Sequence, residues 1–163
     1  MLRAFPFALL LASCATATST STESASFRSR DWMNPSLRDL TATVHVKRTG
    51  PQLYATRYVF DVPLDPLRGT NPTSFHIFAF CVAAKLAAQA QRQYWSVGTT
   101  TPGLKYNQTR EVVLLVASGA SSTDRPSTDA DSRAISWLAP ASDTASMRPT
   151  CERVLRAEHM WPK

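Results

Sequence analysis

The stretch TATVHVKRTGPQLYATRYVFDV, residues 41–62, decides the fold class. In its first half Ala42, Val44 and Val46 alternate with Thr43, His45 and Lys47, the two-residue period of a half-buried strand. In its second half Tyr54, Thr56, Tyr58, Phe60 and Val62 alternate with Leu53, Ala55, Arg57, Val59 and Asp61. The cluster Thr49-Gly50-Pro51-Gln52 between them supplies turn chemistry, so the two runs read as a β-hairpin. Asp61 to Pro66 carries prolines at 63 and 66, and the second strand is expected to end there, because proline removes a ladder donor and restricts the residue before it.

Downstream, the spacing predicts a helix over 74–91, capped by Ser74 or Thr73. Ile77, Phe80, Cys81, Ala84 and Ala88 form its apolar stripe, with Lys85, Gln89 and Arg92 on the opposite side. Its many alanines allow a close approach to a sheet. Tyr94-Trp95-Ser96-Val97 reads as a short strand ending at Gly98. The unbroken run Val112-Val113-Leu114-Leu115-Val116 within 110–117 reads as a central strand covered on both faces. Residues 118–132 are a polar loop or disordered insertion, Ile135 to Leu138 a fifth strand, and Pro149 the start of a last helix through Glu158. The order β-β-α-β-β predicts an α+β domain: a mostly antiparallel sheet of four to five strands, one main helix packed on it and a short C-terminal helix.

The N-terminus gives an address. Met1 to Arg3 is a short basic start and 4–12 an apolar stretch of nine residues, the layout of an export signal and too short for a permanent membrane span. It runs into Leu11-Ala12-Ser13-Cys14, which resembles the bacterial lipobox. The resemblance implies a signal peptide over 1–13, lipidation of the Cys14 thiol, cleavage before Cys14, and acylation of the new amino group. Ala15 after the cysteine implies, by the same analogy, sorting to the outer membrane, facing the periplasm. The pattern Ala15-Thr16-Ala17 keeps ordinary cleavage after Ala17 open as an alternative. Residues 14–27, mostly Ser, Thr and Ala, read as a lipidated tether, and 28–163 as one domain. The segment from Phe75 to Val97 also resembles small proteobacterial envelope lipoproteins, a resemblance that implies no activity.

Cysteine arithmetic bears on the anchor. The chain holds Cys14, Cys81 and Cys151. An odd count in an exported chain leaves one thiol to explain; with lipid on Cys14, an oxidising compartment favours joining Cys81 to Cys151. Two separate buried thiols are the alternative.

The formal charge is +6, and Arg3 is the only charged residue before Cys14, so the mature chain is drawn to anionic surfaces such as lipid head groups. The basic residues are scattered, without the aromatic-interleaved stripe of a nucleic-acid binder. His45, His76 and His159 are too far apart in sequence for a local zinc motif. Ser118 and Ser121 follow the central strand without a nucleophile-elbow motif. Asp124, Asp129 and Asp131 do not meet the EF-hand pattern, because Ala134 and Pro140 fall where its glycine and glutamate belong. Tyr54, Tyr58 and Phe60, with Trp95 and Trp137, are candidates for a glycan-binding face or for core. No cofactor motif or small-molecule substrate emerges. The expectation is a non-catalytic envelope lipoprotein that binds an envelope protein or an anionic envelope component. A periplasmic hydrolase and a subunit of a secretion or outer-membrane assembly complex are the alternatives.

Overall fold

The computed structural model describes residues 24–29, 41–64, 72–101 and 109–154. The lipobox, Thr16 to Glu23 and His159 lie outside them. The fold is α+β. An antiparallel sheet comprises β1 (Ser24–Arg28), β2 (Ala42–Gly50), β3 (Leu53–Leu64), β4 (Tyr94–Thr99), β5 (Thr109–Gly119), β6 (Ser136–Trp137) and β7 (Ser142–Asp143). Among the described residues two long helices accompany it, α1 (Pro72–Gln89) and α2 (Thr144–Val154). The strands follow the order β1-β2-β3-β5-β4-β6, with β7 also paired to β4.

The hairpin forms as its alternation predicts, with Gly50 opposite Leu53 and Val44 opposite Tyr58. Its second strand ends at Leu64, within the stretch expected to stop it, and passes through Pro63 on the way. The ladder to β5 is interrupted between Val59 and Leu64, so Pro63 sits where its missing N–H breaks no pairing. Because β3 and β4 are each antiparallel to β5, they run parallel to one another, and α1 carries the chain across β5 between them.

One face of the sheet makes the main core. Val44, Tyr58, Leu64, Trp95, Val97, Val112 and Leu114 are buried there with Phe75, Phe78 and Val82 of α1. Phe75 meets Tyr58 and Phe60 edge-on, with ring centroids 5.0 and 5.3 Å apart. Burying each such ring is worth roughly 1.5–3 kcal/mol, and each edge contact about 0.5–1.5 kcal/mol more. Ala79, Ala83, Ala84 and Ala87 are also buried, which keeps α1 close to its neighbours.

The expected polar side of this helix is largely absent, since Lys85 is only 8% exposed. A helix covered nearly all round shows no clean stripe. The second cover is α2, tied to α1 by a disulfide between Cys81 and Cys151, whose Cα atoms are 5.2 Å apart. Helix α2 starts at Thr144 rather than Pro149, because Asp143 caps it: its Oδ1 accepts the Ser146 N–H at 2.9 Å. Pro149 therefore lies inside the helix.

The opposite face is half covered. Leu53, Leu115 and Ala117 are buried under Ile135 and Trp137. The polar segment leading to Ile135 is a folded loop. Asp129 organises it, accepting the Asp131 and Arg133 N–H groups at 3.0 and 2.8 Å while holding the Arg133 guanidinium. Residues 118 and 119 extend β5 instead of starting the loop.

Candidate functional site

The candidate residues separate on folding. Tyr54, Tyr58, Phe60 and Trp95 are all at most 8% exposed and belong to the core rather than to a glycan platform. Burial pushes the Tyr58 phenol well above its usual range, only partly offset by the Thr56 hydroxyl. Trp137 lies on the other face, half-buried, with the Arg125 guanidinium 5.9 Å from its ring centroid. Ser118 is buried in β5, while the exposed Ser121 pairs its hydroxyl with Thr123.

His45 is exposed on the open half of the second sheet face, opposite Arg57. His76 is half-buried on α1, its ring stacked on Phe80 at 6.2 Å, and burial keeps its imidazole below the ordinary histidine range. Asp124 accepts the Ser121 N–H at 2.8 Å, and Asp129 and Asp131 pair with Arg133. Among the described residues, no three His, Cys, Asp or Glu side chains gather in a metal-binding group. Nor, among them, is any helix long and apolar enough to cross a membrane.

The open half-face is polar and cross-braced. Arg57 grips Glu111 through two 2.8 Å bonds, and Arg28 spans two strands to reach Thr43 at 2.7 Å and Asp61 beyond it. The Arg57 guanidinium holds the Glu111 carboxyl below the usual carboxylate range. Both pairs are solvent-exposed, so each adds little to stability. Arg28, however, sits on the edge strand β1, and its contacts, with the 2.8 Å bond from the Ala42 N–H to Ser29 Oγ, join β1 to the sheet beyond its backbone ladder.

The concave feature of interest lies at the other end of β1. A cavity of about 600 Å³ opens between the start of β1, the β2–β3 turn and the C-terminal end of α1. Val46, Tyr54 and Leu86 line it together with Arg48 and Arg92. Two structural devices place those arginines.

Arg48 donates from Nε to the Gly50 carbonyl at 3.2 Å and from Nη2 to the Pro51 carbonyl at 3.0 Å, which folds it against the hairpin turn. Arg92 follows a Schellman-type helix end. Its N–H bonds the Ala87 carbonyl at 2.8 Å and the Gln91 N–H bonds the Ala88 carbonyl at 3.0 Å, with Gln91 at φ 53°. The Thr144 hydroxyl then bonds the Arg92 carbonyl at 3.2 Å. The backbone carrying Arg92 is thus clamped from both helices. No sequence pattern links positions 48 and 92; only the packing of α1 over the hairpin does.

Comparison with protein-family models, with curated proteins and with solved structures finds no match, so the reading of this site rests on its own geometry.

Proposed function

We propose that this chain is an envelope lipoprotein: a small α+β domain held at a membrane by acyl chains on Cys14, with a non-catalytic binding role. The observation that carries the reading is the cysteine balance. Three cysteines are present, and Cys81 pairs with Cys151 across two helices, so Cys14 is the odd cysteine and stands in the sequence Leu11-Ala12-Ser13-Cys14. Two further features support it. The disulfide suits an oxidising compartment such as the periplasm. The chain between Cys14 and the first residue of β1, Ser24, spans at most about 33–36 Å when extended, a short leash that keeps the domain near the surface it is tied to.

The proposed location is the outer membrane, facing the periplasm, with the lipid anchor as the membrane contact. The test is Cys14→Ser with acyl-chain labelling and cell fractionation. Loss of label and release to the soluble fraction is the expected result; labelled or membrane-retained variant protein would end the reading.

A further inference from the structure

We infer that the cavity between β1, the β2–β3 turn and the end of α1 binds an anionic amphiphile, with a phosphate or carboxylate head on Arg48 and Arg92 and an apolar chain along Val46, Tyr54 and Leu86. Three observations carry this. The volume, about 600 Å³, matches that of small-molecule sites, roughly 300–1,000 Å³. The lining is two-sided in chemistry, with two guanidinium groups and no carboxylate among the described lining residues, beside aliphatic and aromatic surface. And Arg92 is only half exposed, while its side chain forms no hydrogen bond or ion pair with the described residues.

A half-buried guanidinium that meets no anion among the described residues favours one from outside, and a planar fork suits the oxygens of a phosphate or carboxylate. Arg48 spends Nε and Nη2 on the hairpin carbonyls, which fixes its position and leaves Nη1 for a ligand. Such pre-set donors lower the ordering cost of binding.

The supply of this ligand rests on the membrane reading above, since an anionic lipid is the amphiphile at hand there. The binding chemistry rests on the cavity alone. The two are separable experimentally. Full-length Cys14→Ser protein, purified without detergent, is titrated with dodecyl phosphate, inorganic phosphate and dodecyl maltoside, and separately with phosphatidylglycerol and phosphatidylcholine vesicles. Dodecyl phosphate should bind, with inorganic phosphate about 100-fold weaker, because several buried methylenes add roughly 0.8 kcal/mol each. The doubly substituted Arg48→Gln, Arg92→Gln protein should lose at least about tenfold in affinity for dodecyl phosphate.

Phosphatidylglycerol vesicles binding in preference to phosphatidylcholine would assign the source to lipid; dodecyl phosphate binding without vesicle binding would assign it to a free amphiphile, the chemistry standing in both cases. Equal binding of dodecyl maltoside, equal binding of inorganic phosphate, or undiminished affinity in the folded double variant would each overturn the inference. Should Arg48→Gln loosen the hairpin, Arg92→Gln alone carries the test. Fractionation of Cys14→Ser remains a separate measurement, so a failed anchor and a failed site cannot be mistaken for one another.

Discussion

Replacing both Cys81 and Cys151 by alanine should cost this domain a large share of its stability. The bridge closes a loop of 70 residues. The loop-entropy relation gives about −15 cal/mol/K for that length, or about 4 kcal/mol at 25 °C. Both sulfurs are fully buried between α1 and α2, and trimming them leaves a small void worth about 1 kcal/mol more. The expected loss is therefore about 5 kcal/mol, against a typical total of roughly 5–15 kcal/mol. Urea unfolding followed by circular dichroism reads it directly: with a slope near 2 kcal/mol/M, the midpoint should fall by roughly 2–2.5 M. Wild-type protein unfolded and refolded in reductant keeps its sulfurs and should fall by about 2 M only, roughly 0.5 M less than the variant, and reductant should not move the variant at all. A midpoint within about 0.5 M of wild type would refute the reasoning, because it would mean that the link does not constrain the unfolded chain.

Other substitutions probe the second face and the helix end. A Cβ at Gly98 would lie 2.8 Å from Ile135 Cγ2 and 2.9 Å from Trp137 Cε3, so Gly98→Ala should lift β6 off β4, destabilise by about 1–3 kcal/mol and expose Trp137 to fluorescence quenchers. The Ser96 hydroxyl is buried without a hydrogen-bond partner among the described residues, and Ser96→Ala should raise the urea midpoint by the equivalent of about 1 kcal/mol. Gln91→Gly should stabilise by about 0.5 kcal/mol, relieving a left-handed residue at the end of α1; a lower melting temperature would contradict this. The carboxyls of Glu111, Asp129 and Asp143 are held low by Arg57, Arg133 and the Ser146 N–H respectively, so they stay ionised in the fold where the unfolded chain already takes up protons. Their contribution is complete above about pH 5 and is lost as pH falls through the depressed values; the acid-side decline of the urea midpoint should be shallower in Glu111→Gln.

How much of this was legible in the sequence depended on where the deciding interactions lie. The hairpin was readable because alternation and turn residues are local, and helix α1 because its apolar run is long. The Cys81–Cys151 bridge was the favoured outcome once Cys14 was set aside, with two separate buried thiols as the alternative, and the packing of α1 on α2 decides for the bridge. Strand β1 was not readable: Ser24, Ala25 and Ser26 have little strand preference of their own and extend because β2 offers a ladder, closed by Arg28 and Ser29. The loop through Asp129 looks disordered by composition, yet a single carboxylate saturated by two backbone donors and a guanidinium gives it shape. The start of α2 was available in Asp143, a good capping residue, and was masked by the stronger but misplaced cue of Pro149. The cavity was out of reach because Arg48 and Arg92 belong to different elements, and only packing places both along one cavity.

The join between β1 and the sheet also sets how the domain would answer a pull. Tension arriving from the N-terminal side enters at Ser24, paired with Lys47 at the far end of a five-residue ladder from Arg28. Drawn along the strand, that ladder and the Arg28 clasp bear the strain together in shear; peeled outward, the rungs open in succession, Ser24 first. A leashed domain would thus hold against a sideways drag while yielding its outermost strand, and with it one wall of the arginine-lined cavity, to a force directed away from the sheet.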